Sequence, residues 1–315
     1  MRVLNDNQTP KEREKTPLDF MTVLIHTVYA ALSFGCAGSA FTVFLVPLPM
    51  IANHLRLDEP WPKITAIFGA VVALLFFGMP PEVVSLIFVL GLVVGEGVKT
   101  RQTFWKLALR ALAICVFVLF AATAWNAQLR GLNVPQYWNS LVERLLSGYA
   151  EMEVLKDMVN PKLLHDTLLY EGPFLLLAGI LLCIWISVGF AAHLGWFPEK
   201  HPLHATQLRK LRLPVWVPVV FAVLFAARFV PEAPLKFYLE GMFMAWSSVI
   251  LVQGCVYLSA LLVRKRLGRG LKLFIYAFSL TFGSYALVAL GVFGNWFLNK
   301  TNTRRSLEVA HESHS

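Results

Sequence analysis

Charge is scarce in this chain, and acidic charge is scarcer still. Only 15% of its 315 residues are charged, with 28 Lys and Arg against 19 Asp and Glu, while 57% are hydrophobic. A soluble domain covers itself with ~25% charged residues, so most of this polypeptide lacks a surface suited to water. Cysteine is equally sparse. Cys36, Cys115, Cys183 and Cys255 fall in separate apolar stretches, with no Cys-x-x-Cys pair and no His at zinc spacing. That pattern excludes a disulfide framework, and such cysteines act as small hydrophobes. His201 with His204 and His311 with His314 lie in polar segments and give no metal site. No phosphate-binding loop, nucleophile elbow, zincin helix or dinucleotide fingerprint occurs. The residues therefore offer no cofactor site and no machinery for ATP hydrolysis or covalent catalysis, and the chain does not read as an enzyme.

What the chain has in quantity is long apolar runs, and a run of ~18 or more such residues reads as a membrane-spanning helix. Candidate segments are Phe20–Ala40, Phe41–Leu55, Ile64–Gly78, Val83–Val98, Leu107–Trp125, Phe174–His193, Val215–Val230, Phe237–Val263 and Leu273–Phe297. The first two form either two helices turned at GCAGS or one helix kinked at Pro47 and Pro49. The expected fold is all-α, a polytopic transmembrane bundle of eight or nine spans forming one domain over residues 20–298. Polar tails at 1–19 and 299–315 read as disordered.

The loops orient that bundle. One set holds Arg56, Lys63, Lys99, Arg101, Lys106, Lys200, Arg209, Lys210 and Arg212, plus five cations in VRKRLGRGLK (263–272). The alternate loops hold Arg130, Arg144, Lys156, Lys162 and Lys236. Fourteen against five places the basic loops 99–106, 194–213 and 264–272, with the N-terminal tail, on the cytoplasmic side of the membrane. The same bias accounts for the net charge of +9 without nucleic acid. The cationic stretch reads as an anchor beside anionic lipid head groups. Trp61, Trp105, Trp125, Trp196, Trp216 and Trp296 fall near segment ends, where an interfacial belt belongs.

Residues 126–172 form the one sizeable piece outside the apolar runs. Trp138, Leu141, Leu145, Tyr149, Met152, Leu155 and Val159 recur at helical steps, predicting an amphipathic helix on the non-cytoplasmic side. Asn160-Pro161 ends it and caps another. The acidity of this loop favours packing over the bundle rather than lying on lipid.

Ionisable groups at membrane depth cost ~2.5–3.5 kcal/mol each, so each is a candidate site. Glu96, beside Gly95, either accepts a hydrogen bond from a solute or pairs with Lys99 at the interface. His26 lies within the first span, as a ligand-binding or helix-bridging group. Arg228 either pairs with Glu240 or meets an anionic solute. Gln253 is an amide deep in a span, for helix bridging or solute recognition.

Several stretches resemble the YybS-like family of bacterial membrane proteins, whose function is unknown. They are VPLPMIANHLRL, LLYEGPFLLLAGILL, LRLPVWVPVVFAVLF, and above all VQGCVYLSALLVRKRLGRGLKLFIYAF followed by LVALGVFGNWF. The likeness runs from about residue 20 to 300; the family commonly has Asp before the last Trp, where this chain has Asn295-Trp296. That family is distantly similar to the S components of energy-coupling factor transporters. The resemblance implies a compact bundle holding one small solute, energised by a partner ATPase complex. S components dock on their membrane partner through small residues of the first helix, and here Ala31, Gly35 and Ser39 share one face. Gly91-x-x-x-Gly95 makes a second such face, for packing within the chain or against a partner. Two functions follow: a solute-binding transporter subunit that opens outward beneath 126–172, or a membrane scaffold acting through helix contacts.

Overall fold

In a computed structural model of the chain, the described residues are 20–37, 43–76, 81–150, 160–214, 216–229, 234–265 and 267–294. The two polar tails, Ser39 and Trp296 lie outside them. Among the described residues every regular element is helical. The helices are α1 (Phe20–Ala37), α2 (Pro47–Arg56), α3 (Trp61–Phe76), α4 (Pro81–Lys99), α5 (Phe104–Leu129), α6 (Val134–Ala150), α7 (Pro161–Tyr170), α8 (Gly172–His193), α9 (Ala205–Leu208), α10 (Trp216–Ala227), α11 (Leu235–Arg264) and α12 (Arg269–Thr281). A further helix, α13, runs over Ser284–Gly294.

Local chemistry sets many of these ends. Proline stands in the first turn of α2, α4, α7 and α8, where its missing N–H costs no intrahelical bond. Asn160 caps α7, its side chain accepting from the Lys162 N–H, as the sequence predicts. Helix α8 closes on Gly195 at φ +75°. There the Gly195 and Trp196 amides donate to Ala192 and Ala191, the paired bonds of a left-handed helix terminus.

Four helices, α4, α5, α8 and α11, are long and apolar enough to cross a membrane. The α12–α13 pair makes a fifth if its 99° bend is counted within one span. By that measure the described residues fall short of the expected eight or nine. Two departures explain part of the difference. The segment expected at Phe41–Leu55 is a single 3-10 turn at Val43–Leu45 followed by the ten-residue α2, which covers ~15 Å of a ~30 Å hydrocarbon layer. The last expected span breaks between α12 and α13. The apolar stretches of α1 (Met21–Phe34), α3 and α10 fall below the 18 residues of a full crossing.

Helix α2 lies inside the protein, with Met50, Ile51, Asn53 and His54 all buried. Its seat is the small-residue face of α4. A Cβ on Gly91 would sit 2.6 Å from Met50 Cγ, and one on Gly95 would collide with the His54 ring. The Gly91-x-x-x-Gly95 face is thus occupied within the chain. Ala31 is also engaged, since a Cβ on Gly69 of α3 would come within 3.0 Å of its backbone nitrogen. Gly35 lies near the end of α1.

The outer helices α6 and α7 are fastened by polar side chains. Glu82 of α4 accepts from Tyr137 Oη at 2.8 Å and from Asn126 Nδ2 at 2.9 Å. Trp138 Nε1 donates to the Leu169 carbonyl. Residues 151–159 of the expected amphipathic helix lie outside the described residues.

The tightest helix contact joins α11 to α13. A Cβ on Gly254 would stand 2.0 Å from the Leu287 carbonyl oxygen, and one on Gly291 would stand 2.3 Å from that of Ile250. Backbone faces backbone, so neither side can yield. Gly254→Ala and Gly291→Ala are each expected to cost about 1–3 kcal/mol, the usual range for overpacking. Gly179→Ala, where a Cβ meets nothing among the described residues within 4 Å, is expected to leave stability unchanged or slightly higher; thermal unfolding in detergent measures all three.

Candidate functional site

The four candidate solute ligands lie apart from one another. Gln253 is fully buried, and its Nε2 donates to the Leu211 carbonyl at 3.0 Å. It ties α11 to the segment before α10, where Arg212 lies 5.4 Å above the Tyr257 ring. Glu96 pairs with Arg110 of α5 at 2.9 Å, not with Lys99, whose Nζ reaches the Leu57 carbonyl. Arg228 meets Glu240 at 4.0 Å and lies 4.8 Å above the Phe243 ring. Glu171, which no sequence signal singles out, joins that pair from the α7–α8 corner. Burial first, and the Glu240 carboxylate second, push its carboxyl above the ordinary range, against the pull of Arg228. Gly241 makes room for that corner, since its Cβ would approach the Glu171 Cα to 3.1 Å. His26 is buried with Nδ1 at 2.7 Å from the Thr22 carbonyl, and its own carbonyl accepts from Asn53 Nδ2.

Space for a ligand lies elsewhere. A cavity of about 330 Å³ is walled by α8, α9, α11 and α12. Helix α8 supplies Trp185, Gly189 and His193, α11 supplies Cys255, Ser259 and Leu262, and α12 supplies Lys272, Tyr276 and Leu280. Steps of three and four place each set on one helix face. Leu208 and Arg209 close the remaining side. Gly189 opens the wall: a Cβ there would meet no heavy atom of the described residues within 4 Å.

Polar groups gather at one end of this space. His193 is the last residue of α8, and Lys272 stands in the first turn of α12. Arg209 Nε donates to Ser259 Oγ at 3.4 Å, and Tyr276 lines the space beside Ser259. Among the described residues no Asp or Glu lines the cavity. None of Gln253, Glu96, Arg228 or His26 reaches it. The cavity also lies at the end carrying the basic loops, opposite the α6–α7 cover under which a site was expected. The i, i+4, i+8 spacing of Lys272, Tyr276 and Leu280 is the one sequence signal that could have led here, and the same residues read equally well as ordinary apolar pattern after an anchor.

Among the described residues no cluster of His, Cys, Asp or Glu has metal-binding geometry, and Cys115, Cys183 and Cys255 are free thiols. His201 has a different task. Its ring stacks on Phe197 at 4.9 Å, Nε2–H donates to the Val98 carbonyl at 3.0 Å, and Nδ1 accepts from the Leu203 amide at 3.1 Å. That pattern requires the neutral imidazole, because a proton on Nδ1 would face another N–H. Burial likewise pushes its pKa below the ordinary 6.5. The unfolded chain then binds the extra proton more readily, so stability rises with pH across this titration and falls as pH drops through about 6.5. The wild type is expected to lose Tm between pH 7 and pH 5, with a smaller pH-dependent loss in His201→Gln; equal losses would remove His201 as a cause.

No curated protein and no solved structure matches the chain. The family described as "Predicted membrane protein (DUF2232)" matches residues 22–295. That match takes in every helix from α1 to α13 and the whole cavity wall, in a chain whose long helices are apolar enough for lipid. The protein belongs to the DUF2232 family of membrane proteins.

Proposed function

We propose that this chain is a small-solute-binding subunit of a membrane transporter, without catalysis of its own. In this reading it sits in a bacterial inner membrane with loops 99–106, 194–213 and 264–272 in the cytoplasm. Helices α1, α3 and α10 then make short crossings, and the 3-10 turn at Val43–Leu45 with α2 completes a broken return, giving nine passages. Energy comes from a partner ATPase complex, since no nucleotide motif occurs in the chain.

One observation carries the proposal: the cavity is the right size and character for a ligand. Binding pockets span ~300–1,000 Å³ and combine apolar walls with a few converging polar groups. The space between α8, α11 and α12 has that composition, at about 330 Å³. Its position at the basic end means that the solute occupies the inward-facing half of the bundle. The scaffold alternative has less to work with, because Met50 and His54 already fill the Gly91 and Gly95 face.

Gly189→Leu is the discriminating variant, since it fills open space without displacing a neighbour. Wild-type protein extracted in native lipid discs is expected to retain one small molecule in native mass spectrometry, and Gly189→Leu to lose it at unchanged or higher Tm. A panel of vitamins, nucleobases and amphiphiles that leaves Tm unmoved, with a stoichiometric membrane protein recovered by pull-down, would replace this reading with the scaffold.

A further inference from the structure

We infer that the cavity takes an anionic amphiphile, an apolar body carrying one phosphate-class group seated against Arg209 and Lys272. The inference rests on the solute-binding reading and adds the chemical class.

The charge balance of the lining is one-sided. Arg209 and Lys272 both line the space, and no acid among the described residues does. Neither forms an ion pair among the described residues. Both are only half exposed, so water screens them partially. Arg209 makes one side-chain hydrogen bond among the described residues, to a neutral hydroxyl at 3.4 Å, beyond the usual N–H···O range of ~2.7–3.2 Å. A guanidinium carries five donors in a planar fork suited to phosphate or carboxylate. Most of that capacity has no partner within the described protein.

An anchor for lipid head groups explains Arg264 and Lys265, which are exposed at the end of α11. It does not explain Lys272. One turn into α12, this side chain shares a helix face with Tyr276 and Leu280 and turns into the cavity. Lys272 therefore borders an apolar chamber, unlike the exposed cations of the loop before it. Trp185, Phe190, Leu262 and Leu280 form that chamber, and a small hydrated anion would gain nothing by entering it. A ligand with an apolar body and an anionic end satisfies both halves. The polar end lies where the helices emerge, the depth at which a lipid phosphate also resides, so the ligand enters from the bilayer or from the aqueous side with the same chemistry.

Decyl phosphate, decanol and inorganic phosphate, titrated separately into the protein in phosphatidylcholine nanodiscs, test this. Decyl phosphate is expected to raise Tm saturably, with decanol and phosphate at least about tenfold weaker, the loss expected when a charge-assisted bond is missing. Arg209→Gln and Lys272→Gln should each weaken decyl phosphate by a similar factor while keeping the ligand-free Tm, and Arg264→Gln should not. Lysophosphatidic acid built into the disc should compete if the bilayer supplies the ligand; lack of competition assigns an aqueous source. Equal binding of decanol, or glutamine variants that bind normally, would overturn the anionic class while leaving the solute-binding reading in place. Phosphate binding as tightly as decyl phosphate would overturn the amphiphile. A decyl phosphate shift that survives Gly189→Leu would remove the cavity as the site and take both readings with it.

Discussion

Inside a bilayer no water is present to satisfy a backbone carbonyl, so every carbonyl that leaves a helix must find a donor within the protein. This chain leaves a helix at depth just before α2. Ser187 Oγ donates to the Phe44 carbonyl at 3.0 Å, and Cys183 Sγ to that of Val43 at 3.5 Å. Both donors sit in the middle of α8, so the interruption is stitched to the centre of a long helix. That stitch seats α2 against the glycine face of α4, and it fixes α8 as the element against which the rest is arranged. Leaving a buried carbonyl unmatched costs ~1–3 kcal/mol, which makes the short helix a defined feature rather than a frayed one.

Glycine decides where this bundle closes and where it stays open. Along α11, Gly254 meets the α13 backbone with no space to spare, while its neighbour Cys255 faces the cavity. On α8, Gly189 meets no other described residue. Dense packing on one side of α11 and open volume on the other is the arrangement expected of a rigid frame around an exchangeable occupant. The segment 209–213 braces the basic end of that frame. Gln253 holds Leu211, and Arg209 reaches Ser259, so the stitching that fixes this segment on α11 also delivers a cation to the chamber.

The membrane class is legible in sequence because scarcity of charge is a property of composition, and it needs no tertiary information. Asn160-Pro161 is legible too, since capping acts within one turn of helix. Pairing is less so. Sequence alone offers Lys99 to Glu96 as a neighbour on the same helix, whereas the α4–α5 turn, with Arg101 at φ 55°, brings up Arg110. Helix breaks are half legible: Pro47 and Pro49 mark a disturbance, but hydropathy cannot tell a bent span from a buried half-helix, because both are apolar. The cavity is least legible. Each wall contributes a few residues whose spacing matches any helix face, and a void arises from what three separate segments fail to fill.

The central claim is that the space between α8, α11 and α12 is held open for a ligand. Experimental density for the protein extracted in its own lipid tests that claim most directly. The account predicts continuous non-protein density running from Trp185 past Gly189 and Tyr276, ending beside Arg209 and Lys272. Direct side-chain contact between α8 and α12, with no volume left at Gly189, would contradict it.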